Sequence, residues 1–284
     1  MITKNIRNIL IVGRTGNGKS ALANTLLNRN NFEEVFREGF GSTSQTKDSQ
    51  SVIFRRNDID YKIVDTIGFN DTKTESKEIL YKIAETIGQM KEGITHLLFV
   101  INNKFTREEI DNFKLIRNIL LESGITEHTT IVRTNYHNFQ NETECEKDKE
   151  ELLRENKDIA EIIRSCNGLV HVNNSSIKTM GIIDQSTESL LRLAFEKLRN
   201  DSRSKLLNHL EENYQGNYKL NSWDKIYLRI NTYLEKKENP NISTIEIQKE
   251  KELIIKETAV IIKKEIPIII ESIEEKDRSC CMIS

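Results

Sequence analysis

The chain has 284 residues, enough for one large domain or for one domain with an extension. Its hydrophobic share of 37% is low and its charged share of 30% is high, which fits a modest core carrying long solvated helices. A formal net charge of −2 speaks against the basic footprint of a nucleic-acid binder, and no run reaches the roughly 18 uncharged apolar residues that a membrane span needs.

The first residues, MITKNIRN, lead straight into a strand pattern with no secretory leader. Cys145 and Cys166 lack metal-ligand spacing, so a reducing cytosol is the expected compartment. The apolar run Ile6 to Val12 predicts the first strand, and Ala21 to Leu27 (ALANTLL) predicts the first helix. Between them lies GRTGNGKS, comprising Gly13, Arg14, Thr15, Gly16, Asn17, Gly18, Lys19 and Ser20, followed by Ala21. A strand, a Gly-rich turn and a helix opening on Lys-Ser form the context of a P-loop, whose backbone N–H groups cradle phosphate where the helix dipole favours negative charge. Gly13 and Gly18 permit close backbone approach, Lys19 would reach the β- and γ-phosphates, and the Ser20 hydroxyl would sit on Mg²⁺. The expected ligand is therefore a nucleoside triphosphate.

Asn28 to Gln50 is polar, rich in Gly, Ser and Thr, and long for a loop; in a P-loop protein a phosphate-sensing switch belongs there. Thr46 is the favoured Mg²⁺ ligand because it lies closer to the next strand, with Thr43 as the alternative. Ser51 to Arg56 and Tyr61 to Asp65, joined by NDID, predict a hairpin. An antiparallel second strand is the arrangement of Ras-like G domains, whereas many other P-loop folds have all-parallel cores. The hairpin ends in DTIG, where Asp65 would hold Mg²⁺ through water and Gly68 would offer its N–H to the γ-phosphate.

Further along, Ser76 to Met90 has helical spacing, and His96 to Ile101 is apolar enough for a buried parallel strand. Thr106 and Glu109 predict a capping box opening a helix through Phe113, Ile116 and Leu120. Thr129 to Val132 is the expected fifth strand, Glu144 to Cys166 a charged helix, Leu169 to Val172 the sixth strand, and Glu188 to Leu198 the closing helix. The expected fold class is α/β: a doubly wound, mostly parallel sheet with one antiparallel strand, plus a C-terminal helical extension. The expected division is a G domain over 1–200 and the extension over 201–284. In the extension, Trp223, Ile226, Tyr227, Ile230, Tyr233 and Leu234 share a helical face. An Ile-rich pattern from Ile242 to Ile273 follows, broken by Pro267; its mixed Glu and Lys face favours packing over lying on a membrane.

Guanine recognition needs a carboxylate after the fifth strand, which excludes the tempting NKFT at Asn103 to Thr106. The segment in the right place is RTNYHN, where Asn135 takes the first position, Tyr136 replaces Lys and Asn138 replaces Asp. An amide cannot accept both guanine N–H bonds, so guanine preference should weaken unless a neighbour helps. Asn173 and Asn174 stand where the last base-contacting loop belongs, although an ordinary Asx turn fits their residue type as well. Phe69 follows DTIG where a water-orienting Gln would stand, so intrinsic hydrolysis should be slow.

With these positions placed, the chain resembles the immune-associated nucleotide-binding proteins (IAN, also called GIMAP), which are septin-like GTPases. The resemblance covers roughly Asn8 to Arg199 and rests on GRTGNGKS, SQTK, the strand with DTIG, Asn173-Asn174, and HLLFVINNKFTREEIDNFKLI from His96 to Ile116. It implies GTP and GDP with Mg²⁺ as ligands, G-domain homodimers or oligomers, and a helical extension folding back over the switch. Ile67 departs from the family's DTPG. Lys104, with Arg107 nearby, takes the place of an Arg that in some members assists hydrolysis across a dimer. Lys keeps the charge but loses the planar fork.

The last residues, CCMIS, fit a prenylation box at Cys281, with Ser favouring farnesyl and Cys280 available for palmitoylation. A single lipid holds weakly, so Cys280 would supply the second signal, and the protein would be peripheral on the cytosolic face of an intracellular membrane. Two functions fit: an anchored GTP-binding switch or scaffold with slow hydrolysis, or a nucleotide-binding interaction protein without useful hydrolysis. The hairpin and the single DTIG argue against an ATPase or a small-molecule kinase.

Overall fold

The structure is a computed structural model that describes residues 6–28, 35–38, 49–69, 75–102, 104–120, 123–175, 184–219 and 224–238. Its centre is a six-stranded sheet in the order β2-β3-β1-β4-β5-β6. The strands are β1 (Ile6–Gly13), β2 (Gln50–Arg56), β3 (Ile59–Asp65), β4 (His96–Asn102), β5 (Thr129–Thr134) and β6 (Leu169–His171). β1 runs parallel to β3 and β4, β4 to β5, and β5 to β6, while β2 alone is antiparallel, to β3. The doubly wound α/β sheet with one antiparallel strand is therefore observed. Asn57 and Asp58 make the hairpin turn at φ 48° and 60°, the left-handed pair of a two-residue turn whose twist matches its strands.

The helices are α1 (Lys19–Leu27), α2 (Glu75–Gly88), α3 (Arg107–Leu115), α4 (Glu142–Glu155), α5 (Lys157–Ser165), α6 (Gln185–Glu212) and α7 (Asp224–Glu238). One sheet face presents Ile9, Ile11, Ile63, Leu98, Val100 and Val132 to a core completed by Leu22 and Leu26 of α1 and by Leu206, Leu207 and Leu210 of α6. On the other face, Phe99 meets Phe113 of α3 edge-on at 5.2 Å between ring centroids. The strands at the sheet centre are buried on both faces, which is why they read as unbroken apolar runs.

Three elements depart from the sequence expectation. The charged helix expected over Glu144 to Cys166 is two helices, because Asn156 leaves the helical region (φ −153°, ψ 140°) and its side chain accepts from Asp158 N to cap α5. Asn favours such a cap over a helix interior. The α3 helix, opened by the expected capping box of Thr106 and Glu109, continues as a π-helical segment over Ile116–Leu120. The α6 helix begins at Gln185, capped by the Asp184 side chain, and runs far past Leu198.

The expected boundary at residue 200 thus falls inside a helix. The first compact unit spans Met1–Ile230 and the second Asn231–Ser284. Beyond α6, Ile94 and Tyr218 exchange two 2.8 Å backbone hydrogen bonds within the first unit. Ile226 and Ile230, from the helical face expected in the extension, are fully buried there. Leu207→Ala should therefore destabilise the protein by about 2–5 kcal/mol in chemical denaturation. Leu193→Ala, on the exposed first half of α6, should cost within about 0.5 kcal/mol. Equal effects would remove the second half of α6 from the core.

Candidate nucleotide site

β1 ends at Gly13, where φ is 148° and an added Cβ would lie 2.5 Å from the Val100 carbonyl oxygen. Only glycine fits this close approach of β1 to its parallel neighbour β4, where Gly13 pairs with Val100. The chain then turns through Arg14 to Asn17, and Gly18, at φ 85°, opens α1 with no side-chain cap and no acidic residue in the first turn. The first-turn N–H groups of α1 are thus left for an anion, which suits phosphate.

Lys19 is buried, and its Nζ donates to Arg14 O at 3.1 Å. Burial pushes its pKa down, and the charge of Asp65 opposes that shift. Ser20 Oγ donates to Asp65 Oδ2 at 2.7 Å. Asp65 is 1% exposed, and its other oxygen, Oδ1, is buried with no hydrogen-bond partner among the described residues. Burial raises the Asp65 pKa, against the pull of Lys19 and the Ser20 hydrogen bond. An orphaned, buried carboxylate oxygen beside a hydroxyl and an ammonium fits a divalent cation and a phosphate, since an unpaired buried polar atom is otherwise costly.

The DTIG segment is stitched to this loop. Thr15 N donates to Phe69 O at 3.1 Å, Phe69 N donates to Gly13 O at 3.2 Å, and Thr66 Oγ1 donates to Ile11 O at 2.8 Å. A Cβ on Gly68 would lie 2.5 Å from Thr15 Oγ1 and 2.7 Å from Lys19 Nζ. Ile67, where the resembled family has proline, is buried. Lys19, Ser20, Asp65 and Gly68 therefore converge in space as they do in the motif. Thr43 and Thr46, the two candidates for the switch ligand, lie outside the described residues, as do Cys280 and Cys281.

The base side is assembled differently. Asn135 is exposed at φ 55°, with its Nδ2 donating to Asn102 Oδ1 at 3.2 Å, and Asn138 is also exposed. Tyr136 stands where the guanine-recognition motif has lysine, and it packs: its ring lies 4.6 Å from that of His171 and its hydroxyl donates to Glu144 O. Beneath it Arg133 and His171 both bond Asp148, at 2.6 and 2.7 Å, which fixes the loop from α4 and β6. Tyr136 N donates to Val172 O, so the loop after β5 is tied to the loop after β6.

Asn173 makes the Asx turn that its residue type allows, with Oδ1 accepting from Ser175 N at 3.2 Å. The side chain of Asn174 is buried, and neither its nitrogen nor its oxygen has a partner among the described residues. Lys104 and Arg107 are exposed and line a cleft of about 610 Å³ together with Asp111, Lys114 and Asp158.

Three further residues connect the parts of the site without a sequence signal for that role. Thr134 Oγ1 donates to Asn17 O at 2.8 Å and joins the base side to the phosphate loop. Arg199 donates to Asn174 O and Ser175 O and pairs with buried Glu38 at 3.1 Å. Glu109, placed at the sequence level only as a capping residue, also bonds Asn17. A threonine ending a β-branched strand and an arginine in a charged helix carry no local signal of such roles.

A family model described as the AIG1 family matches residues 7–224. Immune-associated nucleotide-binding protein 9 of Arabidopsis thaliana is 34% identical over 173 residues, which cover 60% of this chain and 49% of the relative. Immune-associated nucleotide-binding protein 12 of the same plant is 30% identical over 166 residues, covering 58% and 40%. The chain thus spans about half the length of the curated relatives it matches. A crystal structure of Toc33 from Arabidopsis thaliana in complex with GDP and Mg²⁺ is 20% identical, covers 70% of this chain and 86% of that one, and superposes with a TM-score of 0.45.

Proposed function

The chain belongs to the AIG1 family, and from that premise we propose that it is a guanine-nucleotide-binding protein whose phosphate and Mg²⁺ site is built by Lys19, Ser20, Asp65 and Gly68. The observation that carries this reading is the orphaned Asp65 Oδ1 beside the Ser20 hydroxyl and the buried Lys19. In it, Lys19 takes the β- and γ-phosphates, Ser20 and Thr46 ligate Mg²⁺, and Asp65 holds the ion through water. The loop amides of Arg14 to Ala21 enclose the phosphates. Asn135, Asn138, Asn173 and Asn174 line the base side, where both polar atoms of the Asn174 amide are buried without a partner among the described residues. The relatives' names, immune-associated nucleotide-binding protein, support the nucleotide. Calorimetric titration with Mg–GTP tests the reading: one equivalent should bind, and a flat titration would remove it.

The nucleotide in turn controls pairing of G domains, while a lipid at Cys281 anchors the protein to a membrane. Hydrolysis is slow, because Phe69 stands where a water-orienting side chain would be and is itself buried. Lys104 or Arg107 of a second copy is the cation that would assist. Phosphate release per bound nucleotide should climb as protein concentration rises. A flat line near zero favours the second reading, an interaction protein controlled by binding alone, for which buried Phe69 is the specific observation. Cys281→Ser should release a tagged full-length protein from the membrane fraction, and unchanged attachment would refute the lipid anchor.

A further inference from the structure

Glu109 is an interior carboxylate with two employers. It is 2% exposed, sits in the first turn of α3, and its Oε2 accepts from Thr106 N at 2.7 Å to complete the capping box. Its Oε1 accepts from Asn17 Nδ2 at 2.9 Å, in the middle of the phosphate loop. The same Asn17 amide nitrogen donates to Val100 O at 2.8 Å, and Asn17 O accepts from Thr134 Oγ1. Asn17 is 6% exposed, so these bonds are not exchanged for water. The residue immediately before Gly18 and Lys19 is thereby held by β4, β5 and α3, and only the α3 hold is made by a side chain whose charge a substitution can remove without changing its shape. Burial raises the Glu109 pKa, while the bonds from Thr106 and Asn17 favour the ionised form that accepts at both oxygens.

We propose that Glu109 is a positioning residue for the phosphate loop: through Asn17 it fixes the turn that delivers Gly18 and Lys19 to a nucleotide phosphate, and so makes the first turn of α3 part of the nucleotide site. This inference rests on the proposed nucleotide-binding function and goes beyond it by assigning a role to a residue that touches no ligand. A capping glutamate needs one oxygen; the second oxygen is what this chain spends on the loop. Glutamine in its place has one acceptor and one NH₂, so either Thr106 N or Asn17 Nδ2 must face a donor. A charge-assisted hydrogen bond replaced by a donor–donor contact should loosen the loop while leaving the fold intact.

The test uses the full chain with Glu109→Gln, Asn17→Ala, both together, and Thr106→Ala as a cap-only control. Mg–GTP affinity and amide exchange of the peptide spanning Gly13 to Ser20, without nucleotide, are measured alongside Tm. Glu109→Gln should weaken Mg–GTP binding about tenfold and speed loop exchange by a similar factor. The double variant should be no worse than the poorer single variant by more than about twofold, because both remove one link. Thr106→Ala should lower Tm and leave loop exchange unchanged. Exchange and affinity of Glu109→Gln within about twofold of the parent, or additive effects with Asn17→Ala, would overturn the proposal. Should the parent itself fail to bind Mg–GTP, the nucleotide reading falls, and loop exchange alone decides whether Glu109 holds the loop.

Discussion

Lys19→Ala is expected to weaken Mg–GTP binding by at least about 100-fold, since in the proposed site Lys19 would make two charge-assisted hydrogen bonds to phosphate, each worth roughly 1.5–3 kcal/mol. The native lysine is buried, with burial depressing its pKa and Asp65 opposing that shift. Alanine also removes the positive charge that opposes the burial-driven rise of the Asp65 pKa. Thermal stability should change little, because the ammonium's one hydrogen bond among the described residues goes to the loop's own Arg14 carbonyl. Fluorescent-nucleotide binding and a melting curve on the same sample separate the two effects. Retained affinity would mean that the phosphates are held elsewhere.

Gly68→Ala should be the second severe change. The new methyl would lie 2.5 Å from Thr15 Oγ1, 2.6 Å from Thr15 N and 2.7 Å from Lys19 Nζ. The lysine end can swing away, but Thr15 N is backbone and is already bonded to Phe69 O. Relief must therefore part DTIG from the phosphate loop, at a cost of about 1–3 kcal/mol of overpacking. Nucleotide affinity should fall about 10- to 100-fold. Gly216→Ala, in the segment after α6 and outside the site, is the matched control: at φ 84° it carries backbone strain of about 1–2 kcal/mol, but nothing lies within 4 Å of the added carbon. Equal losses at the two glycines would show that the close approach at Gly68 has no bearing on binding.

The phosphate side of the proposed site is legible in the sequence because its residues are local. Gly13 to Ser20 is one turn between one strand and one helix, and Asp65 and Gly68 sit at the end of a hairpin marked by its own Asn-Asp turn. The base side is less legible because it is made by contacts between distant segments. Tyr136 could be seen to replace a lysine, yet its tilted ring contact with His171 and the Asp148 anchor below it depend on the pairing of β5 with β6. Asn156 splits the helix expected from Glu144 to Cys166, a choice between helix interior and cap that spacing alone does not decide.

The long α6 helix shows a different limit. Its first half is charged and solvated, and its buried Leu206, Leu207 and Leu210 come only after residue 200, so the pattern of charge invites a boundary where the core is still being built. Glu109 shows a third. The capping box was readable from Thr106 and Glu109 alone, but the use of the second carboxylate oxygen required the phosphate loop to be brought beside α3.

The central claim, that an AIG1-family phosphate site of this chain holds a guanine nucleotide with Mg²⁺, is tested most directly by titrating the full chain with GTP, ATP and XTP in the presence of Mg²⁺. GTP should bind one-to-one, Lys19→Ala should abolish that binding, and the margin over ATP and XTP should be smaller than a carboxylate at the position of Asn138 would give. Failure of all three nucleotides to bind, or tighter binding of ATP than of GTP, would contradict the claim.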